Sequence, residues 1–359
     1  MVKKRVVKRV VDKEKQKMKR KRVTIKESEI QDTRGSLGTT IFSILFLLAL
    51  LAALVFLVYM LYMNIPGEPL EGSVNVGINS NDKELPLLAV KQFYPNTKFN
   101  HKTITYNIDI NCDKFKEDRI LEAFNIVSEK VPGISFKKML SGSVDIEVSC
   151  SDVREEKIDE DHFIAGEGGA KEIIQTGKYN VITNGVIFLY ESENSKTAKC
   201  NYPDVELHEL MHVFGFEHSE DKNSLMYPYL ETCDQILDES IIKELNRLYS
   251  EENLPDLFFE DVWAVRRGKY LDFNLTIKNS GVIDSTNVKY SILDDGELVQ
   301  TRELDSEMGE ISFGAGVIIS ITNLKLINRN SKEIVFVIDR DNKIKEYDEE
   351  NNRAVVRFG

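Results

Sequence analysis

The chain has 359 residues, 42% of them apolar, and a formal net charge of −12. That length exceeds one ordinary domain and that apolar content can fill real cores, so global disorder is excluded. Residues 1–34 carry a net +9 and the remainder −21; so acidic a body is no partner for nucleic acid, whose phosphates need a basic surface.

The basic segment, residues 1–38, comes first. Val2, Val6, Val7, Val10 and Val11 stand at helical spacing among Lys and Arg. They fit either an amphipathic helix on an anionic leaflet or a solvated tail, and the tail is favoured because so short a helix is marginal alone. From Thr39 to Met63 no residue is charged. About 20 apolar residues cross a bilayer as a helix, and this run outlasts the ~7–15 residues of a signal-peptide core with no small-residue cleavage site after it. Residues 39–63 therefore read as a transmembrane helix in contact with the lipid bilayer. Six Lys/Arg lie in residues 19–38 and only Lys83 in residues 64–83. That asymmetry predicts a single-pass cell-membrane protein with its N-terminus cytoplasmic and everything after the span outside.

Residues 64–95, with Pro66, Gly67, Pro69, Gly72 and Gly77, read as a juxtamembrane stalk. Residues 96–252 alternate strand and helix signals: strands over 104–110, 143–150 and 184–190, helices over 116–131, 203–214 and 235–249. The expectation is a mixed α+β domain. Residues 256–359 switch to short strands separated by turns such as NSG, DDG and DRDN, the pattern of a small all-β sandwich, with the lone Trp263 expected in its core. Cys112, Cys150, Cys200 and Cys233 all lie past the span, where an oxidising compartment favours two disulfides over free buried thiols.

The chemistry concentrates in VELHELMHVFGFEHSEDKNSLMYP. His208 and His212 stand at i and i+4, so one helix face can aim both imidazoles at one ion. Glu209 projects beside them as a general-base candidate. Gly215 can take a positive φ, end the helix and turn the chain so that His218 arrives as a third nitrogen ligand. Three neutral His ligands leave the fourth tetrahedral position of a Zn²⁺ ion open to water, which distinguishes a catalytic from a structural site. At this composition the pattern HExxHxxGxxH arises by chance in roughly a few chains per million. His101 and His162 read as ordinary hydrogen-bonded histidines.

His208 to His218 resembles the long zinc-binding motif of the metzincins, and SLMYP (224–228) resembles their Met-turn, which implies Met226 beneath the metal. Ser219 after the third ligand and the short gap to the Met-turn are most similar to the matrixin branch. The likeness implies a zinc metalloendopeptidase with a twisted mixed sheet plus helices over 96–252, one catalytic zinc, and protein or peptide substrates. HFIAGEGGAKEII (162–174) only loosely resembles the matrixin edge strand and lacks its His and Asp, so a second zinc is not expected; residues 168–175 are the candidate substrate-pairing edge. No zinc-blocking pro-segment is recognisable. Cys200 stands just before the zinc helix and Cys233 just after the Met-turn, so these are paired here, leaving Cys112 with Cys150. Tyr227 and Tyr229 either pack around the turn, the preferred reading, or approach the metal.

The KNSG turn and the acidic closure IKEYDEENN resemble the CARDB family of immunoglobulin-like domains, implying a seven-stranded sandwich and a role in adhesion or substrate presentation, with a surface ligand as its partner. Asp339, Asp341, Glu346 and Asp348 suggest Ca²⁺, but the glycine of an EF-type loop is missing and a hydrogen-bonded turn is preferred. Two other functions share these residues: an adhesion protein using the zinc fold as a scaffold, and a zinc hydrolase acting on non-peptide envelope bonds. Glu209 argues against the scaffold, which has no need of a carboxylate beside an open metal position.

Overall fold

The structure is a computed structural model, and it describes residues 37–76, 91–151, 164–190, 199–230, 232–304 and 310–359. His162 and most of the basic segment lie outside the described residues. Helix α1 (Leu37–Asn64) contains 25 residues, Thr40–Asn64, long and apolar enough to cross a membrane. Among the described residues, the helix as far as Tyr62 and the residues from Met63 onward form separate units.

The first strands past the helix lie in the segment expected as stalk. β1 (Pro69–Glu71) and β2 (Ser73–Val76) each join an edge of the C-terminal sandwich described below. Gly72 links them where a Cβ would lie 2.1 Å from Val356 Cγ1, so only glycine passes. Elements of three and four residues flanked by Pro and Gly are too short to show a period, and their pairing partners lie far along the chain.

The α+β domain follows: β3 (Thr97–Phe99), β4 (Thr103–Ile108), α2 (Lys114–Lys130), β5 (Ser135–Lys138), β6 (Ile146–Cys150), β7 (Gly166–Gln175), β8 (Asn180–Leu189), α3 (Asp204–Val213) and α4 (Glu239–Ser250). The sheet runs β3-β8-β6-β4-β5 in parallel, and β7 pairs antiparallel with β8. α2 starts at Asp113, whose side chain accepts from Lys116 N–H, and buries Ile120, Ala123, Phe124 and Val127 on one stripe. Phe124 stacks on Phe136 with ring centroids 4.4 Å apart, which fastens the helix to the sheet. α4 buries Ile241, Leu245 and Leu248 in the same core.

The sandwich contains β9 (Leu257–Arg267), β10 (Tyr270–Asn279), β11 (Ser285–Thr286), β12 (Lys289–Asp294), β13 (Glu297–Glu303), β14 (Glu310–Ile311), β15 (Gly316–Lys325), β16 (Glu333–Ile338) and β17 (Arg353–Arg357). Its main sheets run β1-β9-β10-β15 and β13-β12-β16-β17-β2, with β11 and β14 as a small separate pair. Period-2 alternation buries Phe259, Phe273 and Phe336 between the sheets. The same alternation corrects the reading of Trp263: it lies one step out of phase with Val262 and Ala264 and is 43% exposed on the outer face. The acidic closure is a hydrogen-bonded turn. Asp339 accepts from Ile344 N–H at 2.6 Å and Glu346 from Asn352 Nδ2 at 3.0 Å.

Cys112 bonds Cys150 and Cys200 bonds Cys233, the two pairs expected. The second closes a loop containing α3 and the turn after it. Replacing Cys200 and Cys233 by Ser is expected to cost about 3–4 kcal/mol through restored unfolded-state entropy, read as a lower thermal midpoint.

Candidate metal centre

α3 begins after Pro203 with Asp204 and Glu206 in its first turn, where acidic side chains suit the positive end of the helix dipole. All ten of its residues are buried. Such a helix shows no amphipathic stripe because β7 and β8 cover it on one side and α2 on another. Arg119 of α2 fixes its start, donating through Nε to Glu206 at 3.2 Å and through Nη1 and Nη2 to the Cys200 and Tyr202 carbonyls at 3.1 and 2.8 Å.

The helix ends at Gly215, with φ +85°, where a Cβ would meet Thr97 at 2.9 Å. Gly215 N–H donates to the His212 carbonyl and Phe216 N–H to that of Met211, closing the turn. The chain then delivers His218. The Nε2 atoms of His208, His212 and His218 lie 3.1, 3.2 and 3.3 Å apart. Among the described residues this is the one group of three or more metal-type side chains that converge.

The fit to zinc is testable on those distances. Tetrahedral nitrogen ligands about 2.0–2.1 Å from zinc stand roughly 3.3 Å from one another. The outward-facing ring atoms supply the rest of the fit. His208 Nδ1 is 2.7 Å from the Leu225 carbonyl and His212 Nδ1 is 2.8 Å from that of Phe216. Carbonyls only accept, so Nδ1 carries the proton on each ring and Nε2 keeps its lone pair for a metal. Burial drives the same way: it lowers His208 to about 3, with His212 adding to the effect, and it lowers His212 and His218 as well. The donor set fits the ion.

Leu225 belongs to the turn Ser224–Tyr227, where Tyr227 N–H donates to the Ser224 carbonyl and Met226 N–H to Ser224 Oγ. Met226 is buried in the common core, and its carbonyl accepts from Ser219 N–H just past His218. Tyr227 and Tyr229 pack edge to face with centroids 5.9 Å apart. His101 lies apart, bonded to Asn100 and to Asp145.

Glu209 points toward the first residues of β7. A Cβ on Gly166 would stand 3.0 Å from Glu209 Oε1, and one on Gly168 2.3 Å from the Glu209 carbonyl. Two glycines therefore let the strand lie directly on the helix beside this carboxyl, a role that reads in sequence only as strand-breaking composition. Burial pushes Glu209 up to about 8, with the like charges of Glu167 and Glu206 adding to it. β7 itself spans 166–175, overlapping the edge expected at 168–175.

The matrixin family model matches residues 98–250, and the CARDB model matches residues 254–356. The first domain is a matrixin domain. Its family is one of metallopeptidases, and a CARDB domain follows it. No curated protein matches the chain. Among solved structures, the CARDB domain of the PF1109 protein from Pyrococcus furiosus, in complex with di-metal ions, is 16% identical; the match covers 29% of this chain and 86% of that one, with a TM-score of 0.23. A domain of a Methanosarcina acetivorans protein described as a cell surface protein is 20% identical, covering 29% of this chain and 91% of that one, with a TM-score of 0.24.

Proposed function

We propose that the protein is a membrane-anchored zinc metalloendopeptidase, held by residues 39–63 with its matrixin and CARDB domains outside the cytoplasm. The observation that carries this reading is the set of three Nε2 atoms at the separation a tetrahedral zinc requires; Glu209, next in sequence to His208, is a buried carboxyl. When bound, zinc would supply a Lewis acid that makes water a stronger acid and polarises a carbonyl. The chain's own residues do the rest. His208 and His212 are held in register by the Leu225 and Phe216 carbonyls. Glu209 takes the proton of the attacking water on its carboxylate and passes it to the departing amine nitrogen as the peptide C–N bond breaks. Met226 packs as an apolar floor, and the edge of β7 that no strand pairs among the described residues offers main-chain groups to an extended substrate.

The purified full-length protein in detergent is expected to contain about one zinc per chain by elemental analysis. Denatured casein should be cleaved, a chelator should stop the cleavage, and added zinc should restore it. A protein that holds no transition metal, or that cleaves equally well after chelation, overturns the reading.

A further inference from the structure

β7 begins beside Glu209 and ends, at Gln175, against the CARDB domain. A Cβ on Gly314 would lie 2.6 Å from Ile174 Cγ2 and 3.6 Å from the Gln175 carbonyl, and Gly177 N–H donates to the Ser280 carbonyl at 2.8 Å. This junction is packed as a core. Val282 is fully buried within the matrixin cluster, Ile283, Phe313 and Tyr347 lie against it, and Asn100 Nδ2 donates to the Val282 carbonyl at 2.9 Å. Tyr347 Oη donates to the Glu252 carbonyl at 2.9 Å. The two domains are thus joined where the β7–β8 hairpin turns.

One edge of β7 pairs with β8; among the described residues no strand pairs with the other. A chain laid antiparallel on that edge sends its N-terminal end toward Gln175. From Gly168, beside Glu209, to Gln175 is roughly 23 Å of strand, so about seven substrate residues take the same path. In sequence, Gly314 is followed by β15, which pairs with β10 alone among the described residues. Ile318 of β15 is 72% exposed. It stands at most about 14 Å of chain past Gly314. Ile173 and Ile174 are half-buried along the last turns of the rail, while Lys171 and Glu172 face water.

We propose that the CARDB domain completes the substrate cleft: an extended, β-prone, apolar segment about seven to eleven residues N-terminal to the cleaved bond docks around Gly314 and Ile318 after running along β7. The occupant is the substrate's own flank, because the single strand β7 runs from Gly166, beside Glu209, to Gln175 at the junction, its ladder to β8 shifting register between Ala170 and Ile173. This inference rests on the peptidase reading, and its test separates the two.

The test uses one hexapeptide core selected by digesting a random library with the zinc-loaded full-length protein. The core is preceded by about three or about twelve residues of alternating Val and Thr, or by about twelve residues interrupted by Pro. The long Val-Thr extension is expected to raise kcat/KM about tenfold through KM, the Pro-interrupted one not at all. Ile318→Glu should erase most of that gain while leaving the short peptide untouched. Fluorescence anisotropy with Glu209→Gln protein should show the same length dependence in binding, without turnover. Equal kcat/KM for short and long peptides, or a gain that survives Ile318→Glu, overturns the inference and leaves the peptidase reading standing. Failure to cleave even the short core overturns the peptidase reading, and the inference with it.

Discussion

Glu209→Gln is expected to leave zinc bound and the fold intact while lowering kcat by roughly two to four orders of magnitude. Gln matches Glu in size, so the contacts of Glu209 with Gly166 and Gly168 persist. Neither His208 nor His212 uses Glu209 for orientation, since their Nδ1 atoms face the Leu225 and Phe216 carbonyls. What disappears is the carboxylate that the proposed mechanism uses as its proton acceptor. The same substitution carries a stability signature in the zinc-free protein. Glu209 binds its proton more tightly folded, at about 8, than in an unfolded chain at 4.5. Between those values the folded state holds more protons, so this group's contribution to stability falls as pH rises through the window. Gln removes that slope. Casein turnover, zinc stoichiometry and apo-protein melts at pH 5 and 8 together decide the matter; a Glu209→Gln protein that still turns over near the wild-type rate ends the general-base assignment.

The convergence of the three imidazoles is legible in the sequence because it is local: an i,i+4 helix pair, then one glycine turn, all within HELMHVFGFEH. The matrixin and CARDB resemblances are likewise carried by short contiguous motifs, and their family models match 98–250 and 254–356. What escapes is whatever depends on distant partners. Gly166 and Gly168 look like breakers until α3 is seen lying on them. β1 and β2 look like stalk because the strands they pair with, β9 and β17, lie some 190 and 280 residues further along. Val282 sits in a stretch of sandwich grammar yet packs into the neighbouring core. Trp263 reads as a core residue on the strength of its size, but strand alternation rather than hydrophobicity decides which face a residue takes. Arg119 gives no sequence signal at all: it is one basic residue in a helix with others, and only the fold reveals that it is buried.

That burial makes Arg119 the second residue whose loss should be large. Arg119→Met is expected to destabilise the protein by about 3–5 kcal/mol, because Glu206, itself 1% exposed, loses the guanidinium that sits 3.2 Å away. The Cys200 and Tyr202 carbonyls lose their donors at the same stroke, just where α3 begins. Methionine fills most of the space, so the effect reads charge and hydrogen bonding rather than a cavity. The double variant Arg119→Met/Glu206→Leu should recover much of the loss, since it also removes the buried carboxylate that Arg119→Met deprives of its guanidinium. Thermal melts of wild type, both single variants and the double variant in the same detergent give the cycle. Additive single effects, or an Arg119→Met midpoint within error of wild type, would show that the pair does not hold the metal helix in place. A destabilised start to α3 should also loosen His208, so zinc affinity is expected to fall with stability in Arg119→Met and to return in the double variant.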